Sequence, residues 1–165
     1  MLSGRAANTI NALRRKYDGK TAAAIDAHVT LAGPYNTALS VAEITTVTAR
    51  VAFDAIPFEL TIAGVDTFLP TSSTSFLHIG PQERLAALHD ELVAQLRWEE
   101  AFPYHPHITI TEYLPPAETS EVARKLHAFN IHETDMLDII ALLEKGPDGK
   151  WMLLREFRLG KRRGT

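Results

Sequence analysis

Two histidines open near-identical four-residue runs, His28-Val29-Thr30-Leu31 and His107-Ile108-Thr109-Ile110. In an extended segment alternate side chains share a face. Each run therefore presents an imidazole and a hydroxyl on one side, while Val/Leu or Ile/Ile anchor the other. A histidine with an ordinary pKa of ~6.5 populates both protonation states near neutrality. One ring can then take a proton from an attacking hydroxyl or water while the other gives one to a leaving oxygen. Each role contributes about 10²–10⁴ in rate. The threonine hydroxyls can hydrogen-bond non-bridging phosphoryl oxygens as charge builds there. Making or breaking a phosphodiester bond needs this set, and neither role requires a metal.

The bare triplet is weak evidence. With seven His and about sixteen Thr in the chain, roughly one His-x-Thr is expected by chance, and a third stands at His132-Glu133-Thr134. Its second place is Glu and its fourth is Asp, so it lacks the apolar anchors. A histidine could also be a buried residue satisfied by the backbone, and Thr is common in strands for its β propensity alone. His105-Pro106-His107 has a real metal-ligand spacing, but no third ligand cluster accompanies it, and no metal or other cofactor is expected. Three alternating histidines, as in the histidine-triad hydrolases, are excluded because Thr109 holds the third place. Tyr35 and Tyr113, just past their histidines, could stack on a base or serve as core or rim aromatics. Phe76 and His78 share a strand face and could line the same cleft, with ordinary packing as the plainer reading. His89 and His127 read as surface or boundary residues.

Positioning two such runs needs a repeated frame, and the chain carries one. A helix is expected from about Ala6 to Tyr17, with Ile10, Leu13 and Tyr17 inward and Asp18-Gly19 as its stop. His28 to Ala32 reads as a strand ending at Gly33-Pro34. Ser40-Val-Ala-Glu43 is a capping box opening a helix with Val41, Ile44, Val47 and Val51 inward. Phe58, Leu60 and Ile62 alternate as a strand with a bulge at Gly64, and Ser75–Ile79 is a second. After Gly80-Pro81 the order begins again. A helix spans about Glu83 to Trp98 on Leu85, Leu88, Leu92 and Leu96, and a strand starts at His107. A helix from Thr119 buries Val122, Leu126 and Phe129. Two extended stretches, Met136–Glu144 and Trp151–Leu159, are joined by a Gly-Pro-Asp-Gly turn. Ser40 and Thr119 both lie twelve residues after their histidines. The expectation is an α+β fold, bilobal and duplicated. It has two antiparallel β-sheets with helices outside, a central cleft and pseudo-two-fold symmetry. The whole chain forms one two-lobed domain, with lobes at about 1–80 and 81–160 and a basic tail at 161–165.

Bulk properties narrow the classes of function. The 165 residues are 45% apolar and 22% charged, ordinary for one folded domain. With no cysteine, thiolate nucleophiles and cysteine-ligated metals are excluded. A formal charge of −3 disfavours duplex DNA as a partner. No apolar run approaches a membrane span and no signal-peptide core precedes the first helix, so a cytoplasmic location without membrane partners is expected. No nucleotide-activating lysine motif or phosphate-cradling glycine loop is visible, which disfavours ATP-driven ligation.

His28-Val29-Thr30-Leu31 and Pro106-His107-Ile108-Thr109-Ile110, set in this repeat, resemble the two-histidine phosphoesterase superfamily. That family includes 2′-5′ RNA ligase-like proteins and 2′,3′-cyclic nucleotide phosphodiesterases. The resemblance covers essentially the whole chain. It implies His28 and His107 as catalytic groups, Thr30 and Thr109 as phosphate-binding groups, and activity on 2′,3′-cyclic phosphates or 2′-5′ linkages. The substrate would be an RNA terminus or a small cyclic nucleotide. The family's first lobe opens with a strand ahead of the first helix, whereas here a helical pattern starts almost at Met1. Monomer and dimer both stay open. The competing reading is a non-catalytic binder of RNA ends or nucleotides that uses the same cleft.

Overall fold

The computed structural model describes residues 1–33, 38–100 and 102–160. Helix α1 (Gly4–Tyr17) buries Ala6 and Ile10 at helical spacing and ends at Asp18, whose side chain then caps a short α2 (Gly19–Ala24) that sequence periodicity did not reveal. Asp18 is thus stop and start together. The capping box forms as expected: Ser40 and Glu43 satisfy each other's backbone N–H at the start of α3 (Val41–Asp54). Three of the four residues expected inward on α3 face the core, Val51 buried and Ile44 and Val47 packed against it. Thr48, Val51 and Ala52 are buried, while Val41 is half exposed. Strand β1 (Phe58–Thr67) buries Phe58, Leu60 and Ile62. At Gly64, where φ is +78°, a bulge inserts one residue, and the inward parity shifts to Val65. Strand β2 (Ser75–Gly80) leads into α4 (Gln82–Leu96), which buries all four predicted leucines.

Strand β3 (His107–Thr111) is followed by α5 (Pro116–His127). Thr119 does not cap α5; it is buried within its first turn, because Pro115-Pro116 starts the helix earlier. Phe129, expected inside, is half exposed beyond the helix end. Strand β4 (His132–Leu137) carries the third His-x-Thr triplet at a sheet edge. Strands β5 (Ile139–Lys145) and β6 (Trp151–Arg158) form a hairpin. Its turn is closed by Gly146 N–H donating to the Lys150 carbonyl at 2.7 Å.

Two antiparallel sheets result: a four-stranded one in the order β3-β2-β1-β4, and the β5-β6 ribbon. Strands from both sides of residue 80 interleave in the larger sheet. Helix α5 packs on β1 and β2, α1 on β3 and β4, and α3 on β5 and β6. The core runs continuously between them, from Ile10 through Ile62, Leu77, Ile108 and Leu126 to Phe157. Among the described residues no helix is long and apolar enough to cross a membrane.

Candidate active site

The second motif sits on a strand as expected. Pairing of β2 with β3 sets His78 opposite His107 and Phe76 opposite Thr109. Cross-strand partners share a sheet face, so these four side chains project together while Leu77, Ile108 and Ile110 fill the opposite side. Phe68, which the sequence reading passed over, completes the group. It stacks on Phe76 with centroids 4.2 Å apart and meets the His107 ring edge-on at 4.9 Å. His105 joins the same aromatic cluster, and its buried Nε2 has no hydrogen-bond partner among the described residues. Gly64 leaves room for His78: a Cβ there would stand 3.3 Å from the His78 ring.

The first motif departs from expectation. His28 to Ala32 is not a strand; the chain runs without ladder pairing and bends at Leu31 and Ala32. Its backbone is held instead by groups from elsewhere. Arg14 Nη1 donates to the Ile25 carbonyl at 2.6 Å, and the Ala27 N–H donates to Asn11 Oδ1 at 2.7 Å. The Ala27 carbonyl accepts from Leu2 N–H at 2.9 Å. Further on, the Tyr104 hydroxyl donates to the Thr30 carbonyl at 2.9 Å, and His89 Nδ1 to the Leu31 carbonyl at 2.6 Å. These backbone groups of residues 25–31 thereby find partners without a neighbouring strand.

The two motif histidines nevertheless adopt the same local arrangement. His28 Nδ1 lies 2.8 Å from the Asp26 carbonyl, and His107 Nδ1 lies 2.7 Å from the His105 carbonyl. A carbonyl only accepts, so Nδ1 carries the hydrogen in both rings. In the neutral rings Nε2 is then the bare, basic atom. Burial pushes the His28 ring down to about 4, with Arg14, the N-terminus and His107 adding repulsion against the Asp26 bond. Burial also lowers His107, with His105 assisting and its carbonyl opposing. His107 thus registers electrostatically at His28. Arg14 is buried and reaches His28 with its charge, while Asp26, Asp18 and Glu112 face the guanidinium from the other side of the balance. Helix α1 serves both motifs, because Asp18 also accepts from the Glu112 N–H at 2.9 Å, one residue past β3.

The remaining candidates divide. Thr30 and Thr109 are both half-buried, as is His78, while Phe76 is buried. Tyr113 is 89% exposed, with φ at +61°, a rim position. Tyr35 lies outside the described residues. His89 is a correction: far from the surface, it is 4% exposed on α4. Its position between Leu88 and Leu92 on the inward face was the available signal. Among the described residues no group of three or more His, Cys, Asp or Glu side chains could hold a metal ion.

Residues 2–149 match the profile of the 2′-5′ RNA ligase superfamily. The chain belongs to that superfamily. A Halalkalibacterium halodurans protein named "Putative phosphoesterase" is 33% identical over 155 residues, covering 92% of this chain and 89% of its own. A Geobacillus protein of the same name is 29% identical over 160 residues, covering 96% and 92%. Two solved structures share this chain's fold. A Thermus thermophilus protein, TT0787, superposes with TM-score 0.61 at 16% identity, covering 96% of this chain and 92% of its own. Escherichia coli LigT complexed with NADP+ gives 0.60 at 16% identity, covering 97% and 95%. LigT has also been solved with ATP and with 3′-AMP.

Proposed function

We propose that this chain is a metal-independent phosphodiesterase acting on 2′,3′-cyclic phosphates or 2′-5′ linkages at RNA ends or small nucleotides, with His28 and His107 as its acid–base pair. The observation that carries the reading is the matched setting of the two rings: each is bound through Nδ1 to the carbonyl two residues back, leaving Nε2 for proton transfer. For a cyclic phosphate, one neutral ring takes a proton from water as its oxygen attacks phosphorus. The other, protonated, gives its proton to O3′ as the P–O3′ bond breaks, leaving a 2′-phosphate. Thr30 and Thr109 hydrogen-bond the non-bridging oxygens. Phe76 and Phe68 offer an apolar wall beside His107. The nucleotides held by LigT and the names of the curated relatives support a nucleotide phosphoester as the substrate class.

The test is turnover of a panel of 2′,3′-cyclic nucleotides and 2′-5′ dinucleotides, scored by the position of the product phosphate. His28→Ala and His107→Ala should each lose about 10²-fold or more in kcat while keeping the wild-type circular dichroism spectrum. A chelator should leave wild-type turnover unchanged. Wild-type rates in both variants would sink the proposal, and binding without turnover in the parent protein would favour the non-catalytic reading.

A further inference from the structure

The bend at Leu31 brings two consecutive carbonyls of the first motif to one stacked pair of side chains. In a regular strand the carbonyls of neighbouring residues point to opposite sides. Here the Thr30 carbonyl accepts from Tyr104 and the Leu31 carbonyl from His89. Those two side chains are themselves stacked, with ring centroids 3.8 Å apart and planes 3° from parallel. His89 Nε2 reaches the Glu100 carboxylate at 3.1 Å, so both ring nitrogens are engaged. Burial pushes the Tyr104 phenol up from its ordinary value, so it remains a donor across the working pH range. Tyr104 also stands three residues before His107, on the segment that delivers β3. The stacked pair therefore touches the first motif and lies on the approach to the second.

We propose that His89 and Tyr104 are positioning residues, a side-chain clamp that replaces the missing strand partner of residues 28–31 and holds His28 and Thr30 in register with His107. The proposal rests on the catalytic reading above. Neither side chain takes part in proton transfer; each acts through the backbone carbonyl it binds. A displacement near 1 Å of a catalytic group can cost about 10²-fold in rate, so even a modest slackening here should register in kcat.

The experiment compares Tyr104→Phe, which keeps the stack but deletes the hydroxyl, with His89→Leu and His89→Asn, using the full chain and a 2′,3′-cyclic nucleotide. The side-chain amide of Asn stands near the place of Nδ1 and can donate to the Leu31 carbonyl. Tyr104→Phe and His89→Leu should lower kcat by about tenfold with KM within about twofold, after correction for the folded fraction. His89→Asn should recover most of the His89→Leu loss. Wild-type kcat in Tyr104→Phe and His89→Leu overturns the clamp. So does a loss that vanishes on correction for folded protein. His28→Ala, run alongside, separates the two ideas: loss there with none in the clamp variants removes the clamp alone, whereas full activity in His28→Ala removes the catalytic reading. Should the parent protein turn over no substrate, the His28 ring resonances decide. Shifts in Tyr104→Phe and His89→Leu, restored in His89→Asn, support the clamp, and unmoved signals overturn it.

Discussion

At the scale of single residues, the informative feature is that both motif histidines are disfavoured as cations. His28 is pushed down to about 4 and His107 also lies below the ordinary 6.5, in both cases chiefly by burial. The proposed reaction needs one ring bare and one protonated. Activity should rise with pH as the more acidic ring loses its proton, and fall as the less acidic ring loses the second. The bell in kcat/KM, which reports the free enzyme, should thus peak on the acid side of 6.5. A bound phosphodiester anion favours the cationic ring, so the kcat profile should sit at higher pH than that of kcat/KM. Coincident profiles centred at or above neutrality would contradict this account. The residue types of the proposed site stand out in the chain because His and Thr at alternate places carry their chemistry with them. Arg14, His89 and Tyr104 were not, because their contributions go to backbone carbonyls, and no side-chain pattern announces which carbonyls will lack a strand partner.

At the scale of elements, local signals predicted what local forces decide. The capping box at Ser40, the leucine stripe of α4 and the alternation of β1 with its bulge all formed where expected. The strand expected at His28 did not, because pairing is a tertiary property and this stretch has none. The bulge in β1 yields a direct test. Gly64 has φ at +78°, where a side chain is strained, and a Cβ would press on the His78 ring at 3.3 Å. Gly64→Ala should destabilise the protein by about 1–2 kcal/mol in urea unfolding. Its effect on turnover reads out how far His78, paired opposite His107, matters to the proposed reaction. A variant as stable as the parent would mean the strand can shed its bulge. The expected repeat was more regular than the fold: α3 opens at Ser40 as foreseen, but prolines start α5 ahead of Thr119.

At the scale of the whole molecule, the fold class was readable because two helix–strand cycles with turn residues between them admit few architectures. The sheet order was not, since β1 and β2 are flanked by β3 and β4 from the other half of the chain. What joins the two motifs across that order is α1. Asn11 and Arg14 hold residues 25–27, and Asp18 at its end holds Glu112. Asp18→Ala, in a residue belonging to neither motif, should lower both stability, by about 1–3 kcal/mol, and kcat. Unchanged turnover at full folding would show the contact to be local. Asn11 and Asp18 are seven positions apart on one helical rod, about 10.5 Å at 1.5 Å of rise per residue. The helix therefore works as a caliper. Residues 25–27, just ahead of His28, and Glu112, just past β3, are held to one hydrogen-bonded length that hardly stretches.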